Sequence, residues 1–389
     1  MTLTDNRPHS HGAGPTGSPA ERFTSRDPQA FEVPRGREEA WRFTPSRGLR
    51  ELFEPFTPTG TLTPSVTAPE PVTWSLVPMD DPAVGQVLQP GDRVSALAWA
   101  NAASALLVRI PAGAELTEPV VVSLHGQAGL AYSHLVIDAG PNSTATVILE
   151  HTGDITLAAN VETVVHAGAH LTVVSVQEWD GEAVHLAAHA NLVSRDASLK
   201  HVVVNLGGKI VRLVPTVSYD GPGGTAELLG VSFAGSAQHF ESRLYVDHSV
   251  PNCTSDVLYK NALMGQTART VWIGDVRIRP EAKATSTYEM NRNLLLSDGA
   301  RADSVPNLEI ETGEIAGAGH ASTTGRFDDL QLFYLQSRGI EHDEAQRLVV
   351  RGFFADVVDR IGVEALQHRI MTAIETRLGF APSTELETA

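Results

Sequence analysis

A mostly β chain with helices at both ends is the fold class this sequence predicts, and three features carry it. Between about residues 96 and 325 short runs rich in aliphatic and β-branched residues recur, among them residues 105–110, 120–124, 135–137, 146–149 and 171–176, all of strand length. Turn-forming clusters separate them, and the first three, at residues 139–142, 166–169 and 195–198, return about every 28 residues, the spacing of one coil in a stacked repeat. From Asp328 the apolar residues switch to steps of three and four, the helical period. Stacked coils of a β-solenoid suit this pattern, and strands and turns alone leave a β-sandwich open as well.

Taken in order, residues 1–20 are rich in Gly, Pro, Ser and His, too polar to offset the entropy of ordering, so a disordered tail is expected. Residues 21–95 read as a helical and Pro-rich region. Within it, Ala40, Trp41 and Phe43, then Leu49, Leu52, Phe53 and Phe56, have helix-like spacing and predict two short helices. Residues 55–92 carry many prolines, beginning with Pro55, Pro58 and Pro64, which lack the amide donor of a central strand and mark a connecting or edge segment. Residues 96–325 form the β core, with further turns at 220–223 and 297–300. Residues 326–389 form a C-terminal helical domain: Ala345, Leu348, Val349, Phe353, Val357 and Ile361, then Val363, Leu366, Ile370, Ile374 and Leu378, make two apolar stripes. Asp328 and Asp343 suit helix starts, and Gly339 and Gly379 suit helix ends. The stripes serve the internal core, a partner, or both.

Charge and motifs exclude several functions. With 29 Lys and Arg against 46 Asp and Glu, the formal charge is −17, which opposes broad attraction to nucleic acid or anionic membrane. One cysteine, Cys253, admits no disulfide framework and no self-contained site of several thiolates. With no secretory or membrane-spanning pattern, a cytoplasmic location is expected. Gly207-Gly208-Lys209 is followed by Ile210 and lacks the spacing and hydroxyl of a phosphate loop. Neither a GxSxG elbow nor an HExxH helix occurs, so a non-enzyme is expected. Asp220, Glu227, Glu241 and Asp247 invite comparison with the carboxylates of β-helical polysaccharide lyases and hydrolases; aromatic residues, at 6% of the chain, offer little sugar-stacking surface.

Residues 291–339 carry the most specific signal. The landmarks are Asn291-Arg292-Asn293-Leu294-Leu295-Leu296-Ser297, Ala302-Asp303-Ser304 with Pro306, Leu308-Glu309-Ile310, Gly319-His320-Ala321, and Gln331-Leu332-Phe333-Tyr334 with Ser337-Arg338-Gly339. Here the chain resembles the SufB/SufD family of iron–sulfur cluster assembly scaffolds, and SufD more closely. The resemblance implies a right-handed parallel β-helix and a non-catalytic subunit that pairs with SufB and docks the ATPase SufC. It also implies that a cluster is held only transiently, in the complex, and that His320 faces a SufB cysteine across the interface. Ala318 stands where SufB proteins carry a cysteine. Cys253 is chiefly a small buried residue in this reading, with a sulfur-relay or metal role as the alternative. Phe333, Leu348 and Phe353 mark the expected SufC-docking region. A self-associating β-helix, homodimeric when isolated, and a β-helical lyase or hydrolase are the other readings.

Overall fold

The computed structural model describes residues 22–327 and 329–379; the expected tail and the expected cap Asp328 lie outside them. Two nine-stranded sheets enclose a common interior. The first contains β1 (Thr61–Thr67), β4 (Val120–Gln127), β6 (Thr144–Gly153), β8 (His170–Trp179), β10 (Ser198–Asn205), β12 (Thr225–Ala234), β14 (Thr254–Leu263), β16 (Ser286–Leu295) and β18 (Gly317–Arg326), in that order. The second runs β17 (Arg301–Ile310), β15 (Arg269–Ile278), β13 (His239–His248), β11 (Ile210–Tyr219), β9 (Val184–Val193), β7 (Thr156–Val165), β5 (Leu130–Ala139), β3 (Ala105–Ile110) and β2 (Thr73–Val77).

From β3 onward each strand pairs in parallel with the strand two further along. A sandwich of hairpins would pair neighbours antiparallel, so the chain is a parallel β-solenoid. Its corners explain the turn signals. Asn142, Gly168, Asp196, Gly223 and Asn252 all adopt positive φ, the left-handed region that Gly, Asn and Asp enter most easily. These corners also stack, for the amides of Asn142 and Gly168 donate to Ala167 O and Arg195 O of the next coil, each at 3.0 Å. The Pro-rich segment supplies β1 and β2, antiparallel edge strands that close the first coil; Pro64 sits in β1, where an edge tolerates its missing donor.

Both sheets are covered from outside. On the second, Trp41, Leu49, Leu52 and Phe53 pack against Ala158, Val184, Leu186 and Ile210. Only one helix of the two expected there forms, the 3-10 turn Ser46–Phe53. The stretch before it is held as turns, because the Glu38 carboxylate accepts the amides of Arg35, Gly36 and Arg37 at 2.9 to 3.1 Å. Helix α1 (Arg93–Asn101) has no sequence signature: Arg93 to Ala98 are all buried, so no polar face marks its period. Against the first sheet pack the C-terminal helices α3 (His342–Asp359) and α4 (Glu364–Arg377), preceded by α2 (Asp329–Ser337), which packs on α3. Val350, Phe354, Val357, Val358, Ile361, Leu366, Ile370 and Ile374 bury themselves against Val174, Val202, Leu229 and Phe233. Asp343 lies in the first turn of α3 and not at its cap, which is Glu341, whereas Gly339 and Gly379 follow α2 and α4 with positive φ as expected.

Candidate functional site at the open end of the solenoid

β17 and β18 end their sheets. Each pairs on one side only, with β15 and β16 respectively, so the last coil presents two rows of backbone groups with no strand beyond them. His320 lies on β18 and is exposed. It stands in register with Glu289 of β16, on the side of the strand that elsewhere points into the solenoid. The short neighbours Ala318 and Gly319 leave the imidazole uncrowded.

Beneath β18 the interior turns polar. Asn293 Nδ2 donates to Asn291 Oδ1 at 2.9 Å, Ser304 Oγ at 3.0 Å and Thr324 Oγ1 at 3.1 Å, while Asn293 Oδ1 accepts from Asn261 at 2.8 Å. Glu289 joins none of this. It is 1% exposed, and among the described residues neither carboxyl oxygen has a hydrogen-bond partner. Burial, reinforced by the charge of Asp275, pushes its carboxyl up to about 8. Gly274 on the opposite sheet makes room, for a Cβ there would lie 2.6 Å from Glu289 Oε1. The Trp272 indole N–H and the Tyr259 hydroxyl, also buried, are unpartnered too.

The other residues singled out in the sequence lie elsewhere. Cys253 is fully buried in the apolar interior, its thiol pushed up by burial and its Sγ 3.6 Å from Gly221 O. His248, five residues before Cys253 in the chain, stacks on Tyr219 and bonds Ser255 Oγ at 2.9 Å; burial drops its pKa to about 4. Phe333 is 68% exposed and Leu348 38%, but Phe353 is half-buried, edge-on to Phe354 with the Lys260 ammonium 5.1 Å from its ring. Lys209 donates to Glu182 at 2.7 Å in the turn before β11, leaving the Gly207-Gly208-Lys209 turn in structural use.

The four acids share no site. Glu227, on the first sheet, binds Arg360 at 2.7 Å; Asp247, on the second, holds Arg279 through two bonds. Asp220 lies 3.3 Å from the Ser194 hydroxyl. Glu241 is sealed under the N-terminal segment, accepting from Thr44 at 2.8 Å; burial would raise its carboxyl, but His239, Arg212 and Arg243 hold it down at about 2. Carboxylates spent separately on ion pairs or on a hydroxyl offer no acid–base couple. The sequence analysis did not single out Glu289 or the buried His151, His185 and His189, although the signal was present: each falls at an inward-facing position of an alternating strand.

Among the described residues no three or more His, Cys, Asp or Glu side chains gather to hold a metal, and no helix is long and apolar enough to cross a membrane. Fold and site together define a β-solenoid protein with an open, pairing-competent end. Residues 122–353 match the family model described as SUF system FeS cluster assembly, SufBD core domain. An iron-sulfur cluster assembly SufBD family protein of Mycobacterium bovis is 50% identical over 377 residues, 95% of each chain. One of Mycobacterium leprae is 48% identical over 370 residues, 93% of this chain and 94% of that protein. A second M. bovis family member is 29% identical over 223 residues, 57% of this chain and 26% of its own length. The chain belongs to the SufBD family of iron–sulfur cluster assembly proteins.

Proposed function

We propose that this chain is the non-catalytic, SufD-type subunit of a cluster assembly scaffold, pairing with an unlike SufB-type subunit at its open end. The observation that carries the reading is an edge strand bearing a histidine and no thiolate. Clusters are held by several thiolates, and the one cysteine here is buried away from that end. The chain therefore contributes an imidazole, and the partner contributes the sulfur ligands. Unpaired edges of β17 and β18 suit strand addition by a second solenoid. The 50% and 29% identities to two family members of one organism agree with two unlike subunits.

A SufC-type ATPase docks on the C-terminal helices in this reading. Exposed Phe333, Tyr334 and Leu348 supply the apolar contacts, while the opposite faces of α3 and α4 are occupied by the first sheet. Co-expression with SufB-type and SufC-type chains, followed by size and iron analysis, tests the assembly. A stable complex that forms clusters is expected, and the chain alone should hydrolyse no ATP and retain no cluster. His320→Ala should keep the complex and lose cluster yield; an unchanged yield removes His320 from the site. A chain that remains a homodimer and ignores both candidates favours self-association instead.

A further inference from the structure

Among the described residues neither carboxyl oxygen of Glu289 has a hydrogen-bond partner. A buried carboxylate is ordinarily paired or hydrogen-bonded, and the unpartnered Trp272 N–H and Tyr259 hydroxyl of the same interior do not serve it. Its strand places it directly under His320, in register on the neighbouring parallel strand. Adjacent strands lie about 4.8 Å apart and in-register side chains on one face point the same way, so a carboxylate oxygen and an imidazole nitrogen so placed can converge on one cation. We propose that Glu289 and His320 form a two-donor half-site for a ferrous ion at the open end of the solenoid, completed by donors from outside the chain. The proposal rests on the reading of this end as the cluster assembly face. Oxygen and nitrogen donors accept divalent iron without sulfur, which makes this a place where iron waits before the partner's thiolates and sulfide take it over. The imidazole is exposed on the terminal strand and the carboxylate is buried one strand behind it, so an ion would reach the pair from the open end.

The test is anaerobic equilibrium dialysis of the purified full chain against Fe(II), with Mn(II) paramagnetic resonance as a second probe. Wild type, E289Q, E289M, H320A and the charge control E314Q are compared, with thermal melting of each. One saturable Fe(II) per chain is expected, weakened at least tenfold by E289Q, by E289M and by H320A, and unchanged by E314Q, while the Glu289 variants melt no lower than wild type. Wild-type affinity in a folded Glu289 variant, or no saturable binding by wild type at millimolar iron, overturns the half-site. Should Glu289 variants bind iron normally while H320A still abolishes cluster yield in the complex, the half-site fails and the assembly reading stands. Loss of iron binding in the Glu289 variants with H320A unaffected overturns the pairing of the two donors.

Discussion

Glu289 and Cys253 are opposite cases of burial. The thiol is a small apolar filler among Val and Ala side chains, so Cys253→Ala should leave cluster yield intact and cost about 1 kcal/mol of stability. A folded Cys253→Ala protein that assembles no cluster would reinstate a sulfur role. Glu289 costs stability where it is. With its carboxyl raised to about 8 by burial, the folded state holds a proton that the unfolded chain releases above about 4.5. Stability is therefore full below the unfolded value and is lost as pH rises through 8. Glu289→Gln should be near neutral at pH 5 and stabilising by up to about 4 kcal/mol at pH 9. Denaturant midpoints at the two pH values check this; equal shifts at both would show that the carboxyl is not held neutral. A group that weakens the fold and has no partner is the pattern expected where function sets the residue.

Elements divide between those that close the molecule and those that offer it to others. α3 and α4 are locked to the first sheet by apolar packing and by Arg369 and Arg360, which reach Glu178 at 2.6 Å and Glu227 at 2.7 Å. Removing them would bare Val174, Val202 and Phe233, so truncation would confuse docking with unfolding. Phe333→Asp should release the ATPase while changing stability by no more than about 0.5 kcal/mol, since its side chain is 68% exposed. Retention of the ATPase in pull-down, with melting unchanged, would move the docking surface elsewhere. The corners are the converse. Gly168 has φ +69 beside Asn142, and Gly168→Ala should cost about 1 to 2 kcal/mol, read as a lower urea midpoint.

Across the whole molecule, the solenoid interior is a set of buried histidines as well as an apolar core. Burial lowers His151 and His201 to about 4, and His185 and His189 are held well below their ordinary range; His189 bonds His201 at 3.0 Å. All four are neutral in the fold and protonate near 6.5 once unfolded. Their contribution is whole above that value and is lost as pH falls toward 4, about 3 kcal/mol for each of His151 and His201. Against a typical net stability of about 5 to 15 kcal/mol, the protein should unfold between about pH 6 and 4. Circular dichroism melts across this range give the answer, and a midpoint flat from pH 7 to 4.5 would contradict neutral burial.

Strands, corners and terminal helices were legible residue by residue because each obeys a local steric rule: β-branched runs extend, Gly, Asn and Asp enter the left-handed region, and apolar steps of three and four make helical stripes. His320 was legible through a motif, not through chemistry. Helix α1 was not, since a helix whose residues Arg93 to Ala98 are all buried carries no polar phase, and the turns around Trp41 were not, since one carboxylate captures three amides. What remained hidden were relations between coils. That Glu289 sits under His320, that Asp220, Glu227, Glu241 and Asp247 never meet, and that Phe353 rests against its own sheet all depend on side chains tens to hundreds of positions apart. Parallel stacking brings those positions together, and the burial that then makes a carboxylate neutral or a histidine uncharged is a property of the assembled interior, absent from any single strand.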